Sequence, residues 1–151
     1  MDIAVVKGEG KHRAVATADG GTVQIAVADY GPALPHELAH FIVERALGLP
    51  WGLWGLLAAG ADLAAVHTFT ARDPRSLQPS TDPLVEEHRG DLLEAERLVA
   101  QLYQLGAGEQ VDHGIDAALA AGIREEIDAL NALWQDLPVG EAVHLTWADR
   151  S

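Results

Sequence analysis

The chain reads as an α+β domain, and three observations carry that reading. Residues alternate with period two through the segments 11–18 and 22–28. Helical spacing of apolar residues then takes over from Leu34 to Leu137, and alternation returns at Val143, Leu145 and Trp147. Strands followed by helices, with one strand at the end, favour a sheet covered by helices rather than a repeating βαβ unit.

The first three segments, 2–7, 11–18 and 22–28, are expected to be strands. In the second, Arg13, Val15 and Thr17 alternate with His12, Ala14 and Ala16; in the third, Val23, Ile25 and Val27 alternate with Thr22, Gln24 and Ala26. Gly8-Glu9-Gly10 and Asp19-Gly20-Gly21 supply turn chemistry, so the three form an antiparallel meander. Four helices are expected next. The first covers about 34–47, where Leu34, Leu38, Phe41, Ile42 and Leu47 follow helical spacing, Pro35 suits the first turn, and Gly48 and Pro50 stop the helix. The second covers about 53–67, with Gly55 and Gly60 allowing close packing. A polar loop at 72–83 leads to a third helix at about 84–105, ended by Gly106 and Gly108. The fourth runs from about 112 to 137 with a possible break at Gly122, and Ile123, Ile127, Leu130, Leu133, Trp134 and Leu137 mark its buried face. After the turn Pro138-Val139-Gly140, the strand 143–147 returns to the N-terminal sheet.

The first helix carries the residues with the clearest chemistry, His36-Glu37-Leu38-Ala39-His40. Two histidines four residues apart lie one turn apart on one helical face, so both imidazoles can reach one metal ion. Glu37 projects beside them, where it can take a proton from a metal-bound water. From the His and Glu frequencies of the chain, roughly 0.02 such matches are expected by accident.

Composition narrows the remaining possibilities. A length of 151 residues, 48% of them hydrophobic, fits one domain with a real core. The net charge of −13 repels phosphate backbones and anionic lipid, which argues against nucleic-acid and membrane-surface partners. There are no cysteines, so disulfides, thiol nucleophiles and Cys-ligated metal sites are excluded. A metal would be held by His and carboxylate, which suits zinc or another divalent transition metal. The start Met1-Asp2-Ile3-Ala4-Val5-Val6-Lys7 has neither the basic onset nor the apolar run of a signal peptide, and Trp51 to Val66 is too short for a span, so a cytoplasmic protein is expected. Only Ser76, Ser80 and Ser151 are serines, which disfavours a serine nucleophile.

A catalytic zinc site needs a third protein ligand. Glu44 shares the helical face but lies eight residues from His36, about 12 Å along the axis, too far for both to grip one ion. It is read as orienting a histidine or pairing with a cation. On the third helix, Leu84, Val85, Leu92, Ala95, Val99, Leu102 and Tyr103 define an apolar stripe that contains His88 and Asp91. A polar group on a buried stripe costs free energy without a partner. Asp91 is therefore ranked first as third ligand and His88 second, with Glu87 and Glu94 behind; a buried, hydrogen-bonded His88–Asp91 pair with a structural purpose only is the competing account. Glu86, Arg89, Glu96 and Arg97 are assigned to the solvated face. His67 is read as a helix-end cation, Asp62 as exposed, and His12, His113 and His144 as exposed without a role.

The stretch Leu34-Pro35-His36-Glu37-Leu38-Ala39-His40-Phe41-Ile42-Val43-Glu44 resembles a group of small bacterial proteins of unassigned activity that carry P-H-[DE]-x-x-H, an apolar run and Glu. The resemblance continues through Trp54 to Gly60, Leu130 to Gly140 and Leu145-Thr146-Trp147. It implies an acidic residue at the position of Asp91, and some members have Asp at that of Glu37. More broadly, the motif resembles that of the zincin metallopeptidases, which implies His36 and His40 as zinc ligands and Glu37 as general base. The extended zincin pattern is absent, since Val43 and Ala46 occupy its Gly and third His positions. The leading expectation is a small zincin-like zinc hydrolase acting on a peptide or small amide substrate. Two alternatives stand beside it: a non-catalytic protein with a closed structural or sensing metal site, and a metal-free interaction domain.

Overall fold

The computed structural model describes residues 1–9, 11–18, 21–28, 34–62, 82–104 and 115–148. The strands β1 (Asp2–Val6), β2 (Lys11–Ala18) and β3 (Gly21–Ala28) form the expected antiparallel meander. The closing strand β4 (Ala142–Thr146) pairs antiparallel with β1, giving the order β3-β2-β1-β4. Register follows the alternation. Ile3 lies opposite Ala16 and Leu145, and Val5 opposite Ala14 and Val143. Ile3, Val5, Ala14, Ala16 and Val143 thus share one buried face.

His12 belongs to that face too and is buried, not exposed as expected. Its burial is tolerated because Nδ1 accepts the Gly8 N–H at 3.0 Å, while the ring meets Trp134 edge-on at 4.8 Å. His144 and Asp62 are exposed as expected.

Five helices occur among the described residues, where four were expected. Helix α1 (His36–Leu47) follows Pro35 and ends at Gly48, whose φ of 65° is the left-handed conformation of a C-terminal glycine cap. Helix α2 (Leu53–Ala58) is shorter than the 53–67 expected. Gly55 is needed there, because a Cβ would run into the Pro50 carbonyl. Gly60 has open surroundings and a φ of 95°, so it serves the turn after α2 rather than close packing. His67 and the loop from 72 to 81 lie outside the described residues.

The expected third helix is two. Helix α3 (Pro83–Glu87) has Asp82 as its cap, with the side chain accepting the Leu84 N–H at 2.9 Å. Helix α4 (Arg89–Gln104) follows a break at His88, where φ is −105° and ψ 22°. Helix α5 (Ala117–Asp136) is capped by Asp116 and runs unbroken through Gly122. The expected start of this helix, with His113, lies outside the described residues. Leu133 is 55% exposed and not on the buried face, although Ile123, Ile127 and Trp134 are.

The sheet face and the helices share one apolar core. Phe41 of α1 lies within it, edge-on to Trp54 of α2 at 6.4 Å and to Trp147 at 5.7 Å. That packing fixes the rotation of α1 about its axis, and with it the direction of the histidine face. No helix among the described residues is long and apolar enough to cross a membrane.

Candidate metal centre

The site begins at the first turn of α1. His36 is the first helical residue and His40 lies one turn on, so their rings come together edge-to-face at 4.7 Å. Glu96 of α4 meets both. His40 Nε2 donates to Glu96 Oε1 at 2.9 Å, and His36 Nε2 lies 3.3 Å from Glu96 Oε2. One donor atom from each of the three residues lies within 4.8 Å of the others. Ligands about 2.05 Å from a tetrahedral zinc ion stand about 3.3 Å apart. The spacing and the two-imidazole, one-carboxylate donor set therefore fit such an ion. The side chain of His40 is fully buried, that of Glu96 is 13% exposed and that of His36 is 34% exposed, so solvent reaches the cluster beside His36.

Behind the histidines lies Glu44, one turn beyond His40 and fully buried. His40 Nδ1 donates to Glu44 Oε2 at 2.6 Å. The same oxygen accepts the Leu53 N–H at 2.9 Å, and Oε1 accepts the Trp54 N–H at 3.0 Å. Three donors offset the cost of burying this carboxylate. Of the two roles expected for Glu44, orienting a histidine and pairing with a cation in a plain helix salt bridge, the contacts with His40, Leu53 and Trp54 agree with the first. Sequence reasoning gave no sign of its two backbone donors, which come from the start of α2.

Glu37 is 9% exposed, and its carboxylate makes no hydrogen bond or ion pair with a described residue. Its backbone is held instead, because the Trp54 indole N–H donates to the Glu37 carbonyl at 2.9 Å.

The carboxylate that meets the two histidines differs from the one expected. Asp91, ranked first, has a side chain 61% exposed and 3.2 Å from His88 Nδ1. His88, ranked second, stacks on Trp51 at 3.7 Å between ring centroids. These two meet each other outside the cluster, and with Asp91 exposed they are not the buried pair of the competing account either. Glu94 pairs with Arg97, and Glu87 is exposed. Glu96, assigned to the solvated face, is the residue that closes on the histidines. The reason is angular. At about 100° per residue, Glu96 and Asp91 lie on opposite flanks, each about 70° from a stripe centred between Leu92 and Ala95. The flank of Glu96 faces α1.

Electrostatics in the metal-free protein follow from these contacts. Ionised carboxylates only accept, so with both ring nitrogens of His40 facing carboxylates, the ring is an imidazolium. Burial opposes its charge, but the bonds to Glu44 and Glu96, together with their charges, outweigh burial and raise its pKa to about 10. Burial likewise opposes the charge on Glu96, and the two histidines outweigh it, lowering its pKa to about 2. A raised histidine pKa adds stability that is complete below its ordinary value of 6.5 and is lost as pH rises through about 10. A lowered Glu pKa adds stability that is complete above 4.5 and is lost as pH falls through about 2. The cluster thus stabilises the metal-free protein most between pH 4.5 and 6.5. In chelator, the urea midpoint is expected to fall from pH 6.5 to 9; a flat midpoint there would contradict the imidazolium.

Together, fold and site define an α+β domain with a His/His/Glu cluster able to hold one metal ion. The chain matches no family model, no curated protein and no solved structure.

Proposed function

We propose that the protein is a small zinc-dependent hydrolase of zincin type, acting on peptide or amide bonds. The observation that carries this reading is the convergence of His36, His40 and Glu96 on one point, with Glu37 on the same turn as the histidines. The donor set, two imidazoles and a carboxylate, suits zinc. It leaves a coordination position for water, and the cluster is reached by solvent beside His36.

Bound zinc would supply a water of lowered pKa and polarise the scissile carbonyl. Glu37, next to His36 in the first turn of α1, would accept the proton of that water and pass it to the departing amine, so that one amide and one water give a carboxylate and an amine. Its carboxylate has no hydrogen bond or ion pair among the described residues to compete with that role. A closed structural site would require four protein ligands, and the described residues bring three together.

The test is a peptide-library digest by zinc-loaded protein, with product termini identified by mass spectrometry. The proposal expects new termini that vanish on chelation and return with zinc. A zinc-loaded protein that cleaves nothing, yet loses thermal stability on chelation, would replace catalysis with a structural or sensing metal.

A further inference from the structure

We propose that Glu44 is a positioning residue for the metal ligand His40, held in that role by Gly52 and the start of α2; the inference rests on the metal-site reading above. His40 can ligate through Nε2 only if Nδ1 carries the proton, because a neutral imidazole has one N–H and one lone pair. Glu44 enforces that tautomer. It offers Nδ1 only an acceptor, at 2.6 Å, from a position where neither residue is exposed to water. The carboxylate cannot turn away, since the Leu53 and Trp54 N–H groups hold its two oxygens at 2.9 and 3.0 Å.

Gly52 makes this arrangement possible. A Cβ at residue 52 would stand 2.5 Å from each Glu44 oxygen, closer than any van der Waals contact. The backbone there is in an ordinary extended conformation, with φ −83°. Space for the carboxylate, not backbone strain, is therefore what excludes a side chain. Trp54 completes the backing, because its backbone N–H holds Glu44 while its indole N–H holds the Glu37 carbonyl. One short helix thus fixes both the ligand and the candidate base.

The consequence is specific. In Glu44→Gln, one amide oxygen must serve three donors: an NH2 turned toward His40 Nδ1 also faces the Leu53 N–H, and an NH2 turned the other way faces the Trp54 N–H. In the first orientation His40 would carry its proton on Nε2, the atom that faces Glu96; in the second, Nδ1–H keeps an acceptor but loses the charge that holds it. Loss of such an outer hydrogen-bond partner lowers metal affinity by about 10- to 100-fold.

The experiment measures zinc affinity by competition with a chromophoric chelator, and the visible spectrum of the cobalt(II)-substituted protein, for wild type, Glu44→Gln and Gly52→Ala. Ile127→Ala serves as a control, because it removes core packing in α5, a helix that supplies none of the three cluster residues. The expected result is a fall of about 10- to 100-fold in zinc affinity for Glu44→Gln, with altered cobalt bands at saturation. Ile127→Ala should lower the melting temperature while keeping the wild-type bands. Gly52→Ala keeps every polar group and should change the bands in the same direction, so it carries the test should Glu44→Gln not fold. Zinc affinity within about threefold of wild type and unchanged bands in the folded variants would overturn the role of Glu44 while leaving the metal site standing. Absence of zinc and cobalt binding in wild type would overturn the metal site itself.

Discussion

Glu37→Gln is expected to keep its zinc and to lose peptide hydrolysis by about 10²- to 10⁴-fold, the usual contribution of a positioned general base. Three observations lead there. Glu37 adjoins His36 in the first turn of α1, so it shares the rigid element that presents both histidines. It is 9% exposed, yet no described residue ties up its carboxylate. Its carbonyl is fixed by the Trp54 indole, which limits the motion of the backbone that carries the side chain. Gln matches Glu in size but cannot accept the proton of a metal-bound water. The loss should therefore fall on kcat, with zinc affinity within about threefold of wild type, since no ligand is removed. Thermal stability should change little, because no hydrogen bond of that carboxylate to a described residue is lost. Retained turnover in a zinc-loaded Glu37→Gln protein would eliminate the proposed mechanism, whatever the metal content.

Glu96→Ala should have the largest effect on metal binding. It removes the only carboxylate in the cluster of donor atoms found among the described residues. Two imidazoles remain, and a two-ligand site holds zinc far more weakly than a three-ligand one. A loss of at least about 10²-fold in affinity is expected, beyond what removing an outer hydrogen bond produces. Asp91→Asn is the informative comparison. Its side chain is largely exposed and meets His88 rather than the cluster, so zinc affinity should stay within about twofold of wild type. Isothermal titration of both metal-free variants with zinc separates the two. A strong loss in Asp91→Asn with none in Glu96→Ala would reverse the assignment of the third ligand.

That assignment marks the limit of what the sequence discloses. The sheet was legible because alternation in β2 and β4 is a local signal, although the burial of His12 shows that the inward face of β2 was not read from it. The start and stop of α1 were legible from Pro35 and Gly48, and the pairing of His36 with His40 followed from helical spacing alone. The third group was not legible. Glu96 and Asp91 flank the same stripe at equal angles, and only the packing of α4 against α1 decides between them. That packing is long-range, with His40 and Glu96 separated by 56 positions in the sequence. A partial signal was available. Glu96 lies four residues after Leu92 and three before Val99, both buried, which places it beside the stripe rather than opposite it. Treating 84–105 as one straight helix also added His88 to the stripe, although the chain breaks there. The setting of Glu44 shows the same divide. Its four-residue spacing from His40 was visible, whereas the backbone donors of Leu53 and Trp54 depend on a tight return of the chain through Gly52.

Elemental analysis most directly tests whether His36, His40 and Glu96 hold one metal ion. The protein should be purified without a metal-affinity tag, as wild type and as His36→Ala, and measured again after zinc is added and excess removed. About one equivalent of zinc in wild type and none in the variant is the predicted result. No metal in either protein, even after zinc is supplied, would contradict the account and leave the three residues as a hydrogen-bonded structural cluster.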